Sequence, residues 1–211
     1  MMDLKILYKQ LLKRHGPQGW WPTRKCSYHP SNKTRKLSEE EQCEICIGAI
    51  LTQNTNWKNV EKALQNLFAA NTMSLQRIAT IRREKLEQLI RSSGYFRQKA
   101  ERLQIFARHI LKNHGGFSTM FAQQTQKLRE ELLSLKGIGP ETADSMLLYA
   151  ARKPVFVVDA YTKRLCAKLG LCDENIDYHK LQKMFHEQLP RKQEIYNEMH
   201  ALIVEEGKRK I

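Results

Sequence analysis

The sequence predicts an all-α protein, and three observations carry that reading. Nearly every segment repeats its apolar residues with the helical period. Most Gly and Pro fall between these segments, where they punctuate helices without breaking them. The one β-like run, Val155-Phe156-Val157-Val158, is short and bounded by Pro154 and Asp159, so it reads as a buried connector. At 211 residues the chain has room for one sizeable core or two small ones sharing an interface. Ten or so short helices in two lobes are expected.

Leu4, Ile6, Leu7, Leu11 and Leu12 give an opening helix that ends near His15-Gly16-Pro17. Residues 17–37 lack periodicity and hold Trp20, Trp21, Pro22, Cys26 and Pro30, which predicts an irregular arm. Ser38-Glu39-Glu40-Glu41 has the form of a capping box, with a Ser side chain and a Glu three residues on satisfying each other's backbone N–H groups. It opens a mostly apolar helix through Leu51. Amphipathic helices follow at about 56–70, 82–92, 96–113 and 122–135. Pro140, a favoured first helical residue, starts another that runs to about Ala151. The last three cover roughly 160–169, 178–188 and 192–209.

Thirty-six Lys and Arg against 22 Asp and Glu leave a formal charge of +14. Such an excess points to polyanions, nucleic acid first and an anionic membrane surface second. A hydrophobic fraction of 41% with 27% charged residues is ordinary for a folded domain and argues against disorder. No apolar run approaches the ~20 residues of a membrane span. The N-terminus mixes charge and apolar residues too early for a secretory signal, so an intracellular location, cytoplasm or nucleoid, is expected. Five Cys without small-domain spacing imply reduced thiols. Cys43-x-x-Cys46, with Cys26 and His29 upstream, has zinc-like spacing. Cys43 and Cys46 nonetheless fall on apolar positions of their helix, where Cys acts as a small hydrophobe.

Leu135-Lys136-Gly137-Ile138-Gly139-Pro140-Glu141-Thr142 lies between two helical patterns. Two glycines around one apolar residue make a tight hairpin, and the next helix begins at once. Backbone N–H groups and a helix N-terminus then converge on one point, a geometry that suits a phosphate and reads no base sequence. An ordinary helix–turn–helix connection is the plainer reading. Asp159 begins a helix that carries Lys163 and Arg164. It can be a plain N-cap or a partly desolvated carboxylate held ionised by the helix dipole.

The spacing of these parts resembles the helix-hairpin-helix DNA glycosylase superfamily, of which endonuclease III is a member. LKGIGPETADSMLLYA precedes VVDAYTKRL, with Gly139 and Asp159 standing 20 positions apart. Ile50-Leu51-Thr52-Gln53-Asn54-Thr55 resembles the family's loop that wedges a Gln into the duplex, and Ser93–Ala100 resembles the segment ahead of the hairpin. The resemblance spans about residues 40–208 and implies a two-lobed glycosylase fold with the active site in the cleft between lobes. One lobe would be a six-helix barrel over 38–153 with the helix-hairpin-helix at about 128–150. The other would combine 1–37 with 154–211. It further implies double-stranded DNA with a damaged base as partner, no membrane partner and a monomer. Asp159 would be catalytic. Gln53, Asn54, Gly137, Ile138, Gly139, Glu141, Thr142, Lys163 and Arg164 would contact DNA, a solvated basic face being the plainer reading of Lys163 and Arg164. Carbonyls of Leu133, Leu135 and Ile138 would offer a Na or K site at the hairpin.

Two departures from the family bear on the reaction. Bifunctional members carry a Lys where this chain has Glu141, and neither Lys136 nor Lys163 stands at the matching position. A carboxylate forms no Schiff base, so hydrolysis without lyase activity is expected. Many relatives also hold a four-cysteine iron–sulfur cluster after a helix resembling His200–Lys208; here no Cys follows Cys172 and the chain ends at Ile211, so no cluster and no required cofactor are expected.

A glycosylase flips its target out of the stack, and the base then needs a pocket. Trp20, Trp21 and Trp57 are the three tryptophans and the candidates for its walls, with core packing as the plainer reading. The Trp-Trp-Pro arm, the Leu-Thr-Gln-Asn-Thr loop, Glu141 and Trp57, close to where that branch has an aromatic, resemble the endonuclease III-like 3-methyladenine DNA glycosylases. Rival readings are removal of mismatched thymine or uracil by the same Asp159, and a DNA-binding module without catalysis.

Overall fold

A computed structural model describes residues 3–24 and 36–209. The chain forms two compact units: a continuous one, Leu37–Met146, and a composite one from Met1–Lys36 and Leu147–Ile211. Twelve α-helices occur among the described residues, and every longer regular element there is helical.

The continuous unit contains α2 (Glu39–Leu51), α3 (Trp57–Ala69), α4 (Leu75–Thr80), α5 (Arg83–Leu89), α6 (Phe96–His114), α7 (Phe117–Ala122), α8 (Thr125–Ser134) and α9 (Pro140–Ser145). The capping box forms: the Ser38 hydroxyl accepts from Glu41 N, and Glu41 Oε2 accepts from Ser38 N at 2.9 Å. Ten of the thirteen residues of α2 are buried, Glu41 and Glu44 among them, so it is a central helix. Cys43 and Cys46 lie in that core, and burial, reinforced by Glu39, Glu44 and Glu40, pushes the Cys43 thiol up to about 12. Cys26 and His29 lie outside the described residues.

The composite unit contains α1 (Leu4–His15), α10 (Ala160–Lys168), α11 (Tyr178–Gln188) and α12 (Gln193–Lys208). The basic last turn of α1 is pinned to α12, where Glu206 accepts from Arg14 Nη1 and pairs with His15 Nε2, each at 2.5 Å. Gly207 allows α10 and α12 to meet closely, since a Cβ there would sit 2.5 Å from Tyr161 Cδ1. Val155–Val158 is buried without being a strand. Side chains of α11 take the place of a partner strand: Phe156 N donates to His186 Nε2 at 2.9 Å, Gln182 Nε2 donates to Phe156 O at 2.6 Å, and Val158 N approaches the Tyr178 hydroxyl at 3.4 Å. This satisfies the backbone groups that burial would otherwise strand.

Three segments differ from expectation. The predicted helix at 82–92 is α5 followed by a 3₁₀ turn at Arg91–Ser93, and α4 precedes it unforeseen. Six residues are under two turns and too few for a period, although Ser74 caps α4 by accepting from Arg77 N at 3.2 Å. The segment from 122 to 135 starts later, as α8, with α7 separate before it. The helix from Pro140 ends at Ser145 and continues as a π-helical turn, Met146–Ala150. The units divide at Met146, where the sequence reading set 153. The π-turn side chains are buried, and Leu148 O accepts from Gln193 Nε2 of α12 at 3.0 Å, which ties the turn to the C-terminal helix.

Candidate active site

Asp159 stands where the connector enters α10, and its two oxygens have separate tasks. Oδ1 caps the helix, accepting from Thr162 N at 2.7 Å and Thr162 Oγ1 at 2.8 Å. Oδ2 faces His200 Nε2 of α12 at 3.5 Å. Burial alone would raise the Asp159 pKa, but His200 and the two Thr162 donors outweigh it and hold the carboxyl below its ordinary value. The N-cap and partly desolvated readings therefore describe the same residue.

His200 is itself placed by Tyr149, whose hydroxyl lies 2.5 Å from His200 Nδ1. Burial, with the carboxylates of Asp159 and Glu198, pushes the Tyr149 phenol up, so it stays neutral and keeps its proton. The contact through Nδ1 leaves Nε2 as the ring nitrogen turned toward Asp159. Trp20 lies edge-on to His200 at 5.9 Å between ring centroids, and Trp21 lies 5.0 Å from the Tyr149 ring. The arm carrying both tryptophans is held by α12: Asn197 Nδ2 donates to Trp20 O at 2.7 Å, and Gln18 N donates to Glu198 Oε1 at 2.5 Å. Trp20, Trp21, Tyr149, His200 and Asp159 are thus one cluster of the composite unit. Lys163 is half-buried on α10, and Arg164 is exposed with its guanidinium 4.8 Å from the Tyr161 ring.

The hairpin and the wedge loop belong to the continuous unit, and there they meet. Gly137 adopts φ +83°, a region glycine enters freely. A Cβ at Gly137 would collide with the Arg102 side chain. Gln53 reaches the hairpin, its Nε2 donating to Gly137 O at 3.0 Å and to Thr142 Oγ1 at 2.9 Å, while its Oε1 accepts from Arg102 Nη1. Asn54 is exposed, with φ +52°. Ile138 is buried beneath the turn, whereas Gly139 and Glu141 are exposed. The two helices of the hairpin are locked by a two-pronged ion pair, Arg129 Nε to Asp144 Oδ1 at 2.7 Å and Nη2 to Oδ2 at 3.0 Å. Of the three carbonyls named for a monovalent cation, that of Leu135 accepts from Ile138 N at 3.0 Å, and Leu133 lies in the last turn of α8. Trp57 opens α3 just after the wedge loop and so belongs to this unit, apart from Trp20 and Trp21.

Lys99 fixes the root of the wedge loop. It is buried, and its Nζ donates to Leu51 O at 2.7 Å, Ser93 O at 2.6 Å and Thr55 Oγ1 at 3.1 Å. Burial, aided by Arg102, lowers its pKa to about 8. The folded state therefore binds fewer protons than the unfolded chain between about 8 and 10.5, and this group's contribution to stability rises with pH across that window. Lys99→Met removes the ammonium donor from the Leu51 and Ser93 carbonyls, leaving Ser93 O with the Thr55 hydroxyl, and is expected to cost about 1–3 kcal/mol in urea unfolding. Its stability should also lose that rise with pH.

Three residues in these networks carried no sequence signal of their role. Tyr149 and Arg102 lie within helical segments without a motif of their own, and His200 lies in the helix that resembles the one leading into an iron–sulfur cluster. Only the tertiary fold brings them to Asp159 and Gln53.

A helical fold with a G-x-G hairpin and a half-buried helix-capping carboxylate after it fits a DNA repair glycosylase. The chain belongs to the HhH-GPD superfamily of base excision DNA repair proteins, which matches residues 47–191. It is 42% identical to "Putative DNA repair glycosylase MJ1434" of Methanocaldococcus jannaschii over 96% of this chain and 86% of that protein. Endonuclease III of Thermotoga maritima is 34% identical over 64% of this chain and 60% of its own length. Among solved structures, the H. pylori 3-methyladenine DNA glycosylase MagIII bound to 1,N6-ethenoadenine superposes with a TM-score of 0.81 at 33% identity, covering 100% of this chain and 99% of that one. A trapped endonuclease III–DNA covalent intermediate gives a TM-score of 0.76 at 20% identity over 97% and 85%, a likeness of fold. No helix among the described residues is long and apolar enough to cross a membrane.

Proposed function

We propose that this DNA glycosylase is monofunctional and removes alkylated purines of the 3-methyladenine type from double-stranded DNA. The observation that carries the reading is the aromatic cluster beside Asp159, in which Trp20 and Tyr149 lie against His200, the residue that faces its carboxylate, and Trp21 packs against Trp20 and Tyr149. An N3-alkylated purine is a cation, and aromatic faces favour a cation by ~0.5–2 kcal/mol. Its glycosidic bond is already weakened by that charge, so the site needs little acid catalysis. The likeness to the 3-methyladenine glycosylase MagIII supports this specificity.

In the proposed reaction the C1′–N bond breaks with its electron pair passing to the alkylated base, which leaves neutral. Asp159 stabilises the oxocarbenium-like sugar and accepts the proton of the water that attacks C1′. The free base and an abasic site are the products. Gly137, Ile138, Gly139 and Thr142 hold a backbone phosphate, and the carbonyls of Leu133, Leu135 and Ile138 would hold a Na or K ion whose positive charge would favour that phosphate. Lys163 and Arg164 contact further phosphates. Gln53 fills the space left by the flipped nucleotide, so DNA binding must first release it from Gly137 and Thr142. No iron–sulfur cluster or other cofactor is required for this chemistry, and the enzyme works as a monomer.

Glu141, exposed in the first turn of α9, offers no amine for an imine. Borohydride added to the enzyme on an abasic duplex should therefore trap no covalent complex, and the strand should stay uncut until treated with alkali. A trapped complex would show lyase activity and remove the monofunctional assignment.

A further inference from the structure

In the continuous unit, three side chains that take no part in the proposed reaction converge on one point. His109 and His114, from the last turns of α6, direct Nε2 at the same oxygen of Glu131 on α8, at 2.6 and 2.5 Å. The three ligating atoms lie within 4.8 Å of one another, and the side chains are 23%, 13% and 19% exposed, open enough for a hydrated ion to enter. We propose that His109, His114 and Glu131 form a binding site for a divalent transition metal, Zn²⁺ being the ion their donors suit best.

Two imidazoles and one carboxylate are a set that Zn²⁺ accepts, with bonds of about 2.0–2.2 Å and a fourth position left to water. Tetrahedral ligands at such bond lengths stand ~3.4 Å apart, so the nitrogens and the oxygen need to part by less than about 1 Å. The surrounding groups are already arranged for that exchange. Gln123 Nε2 donates to Glu131 Oε2 at 2.7 Å, which orients the carboxylate and leaves Oε1 for the ion. Asn113 Nδ2 lies 3.1 Å from His109 Nδ1. When the metal takes Nε2 the ring proton moves to Nδ1, and the Asn113 amide, turned over, accepts it with its oxygen. An ion here cross-links the end of α6 to α8, the helix that leads into the hairpin.

The test is Zn²⁺ titration of the chelator-treated full chain by calorimetry, beside His109→Ala, His114→Ala, Glu131→Gln and the exposed-residue control His179→Ala. Wild type and His179→Ala should bind one Zn²⁺ per chain, and each ligand variant should bind about tenfold or more weakly. Zn²⁺ at a hundredfold excess over Kd should raise the wild-type melting midpoint by about 5–10 °C and leave that of Glu131→Gln in place. Co²⁺ should give visible bands free of thiolate charge transfer, because the ligands are nitrogen and oxygen. No uptake by wild type, uptake unchanged in the ligand variants, or a thiolate band from cysteine binding would each overturn the proposal. Circular dichroism of the metal-free variants separates a lost site from a lost fold.

Discussion

Asp159→Asn should lower the single-turnover rate of base release by about 10²–10⁴-fold while leaving DNA affinity within about twofold. The magnitude is that of removing a charge that stabilises a developing cation and accepts the attacking water's proton. The fold should survive, because an amide oxygen at the same place still accepts from Thr162 N and Oγ1 and caps α10. Release rates on methylated duplex and affinity by fluorescence anisotropy separate the two effects. The pH profile adds a second check. The Asp159 carboxyl titrates below its ordinary 3.8, so it stays ionised throughout neutral and mildly acidic solution. Its contribution to both rate and stability is present above 3.8 and is lost only as pH falls through the lower folded value. An acid limb in wild type above pH 5 would belong to another group and should persist in the residual rate of Asp159→Asn.

Phe156→Ala should cost about 3–5 kcal/mol of stability, the range for a fully buried aromatic truncated in a packed core. Phe156 has no exposed surface, stacks on Phe185 with ring centroids 3.8 Å apart at 6°, and meets Tyr196 and His200 edge-on at 5.8 and 6.3 Å. For a chain of this length the melting midpoint should fall by about 10 °C. The effect should reach the chemistry as well, because Phe156 supports the His200 ring and lies in the connector that delivers Asp159. Thermal melts followed by circular dichroism measure the first effect, and base release well below the new midpoint measures the second. Phe156→Leu, which keeps most of the volume, should cost about 1–2 kcal/mol and restore most of the rate.

What could be read in the sequence was local. The capping box at Ser38–Glu41, the opening helix to His15 and Pro140 as a first helical residue each depend on neighbours within a few positions, and each appears as expected. The hairpin was legible because two glycines and a proline leave the backbone few alternatives. The absence of a strand at Val155–Val158 could be inferred from its flanks, but its means of support could not: His186, Gln182 and Tyr178 approach it from α11. Short helices escaped for the same reason. α4 and α7 hold six residues each, too few for a period, and tertiary packing decides them. At the candidate site Asp159, Gln53 and the tryptophans were found as residue types in an order. The partners that tune them were not, since Tyr149 and His200 reach Asp159, and Arg102 reaches Gln53, only through the fold.

We propose that the aromatic cluster serves a carboxylate that releases cationic, alkylated purines. Chromatography of the bases freed from methylated duplex DNA, with wild type beside Asp159→Asn, tests it most directly. Free 3-methyladenine is expected from wild type alone, with no comparable release of uracil or thymine from mismatched duplexes. Absence of alkylated base in the wild-type reaction, with release of uracil or thymine in its place, would contradict it.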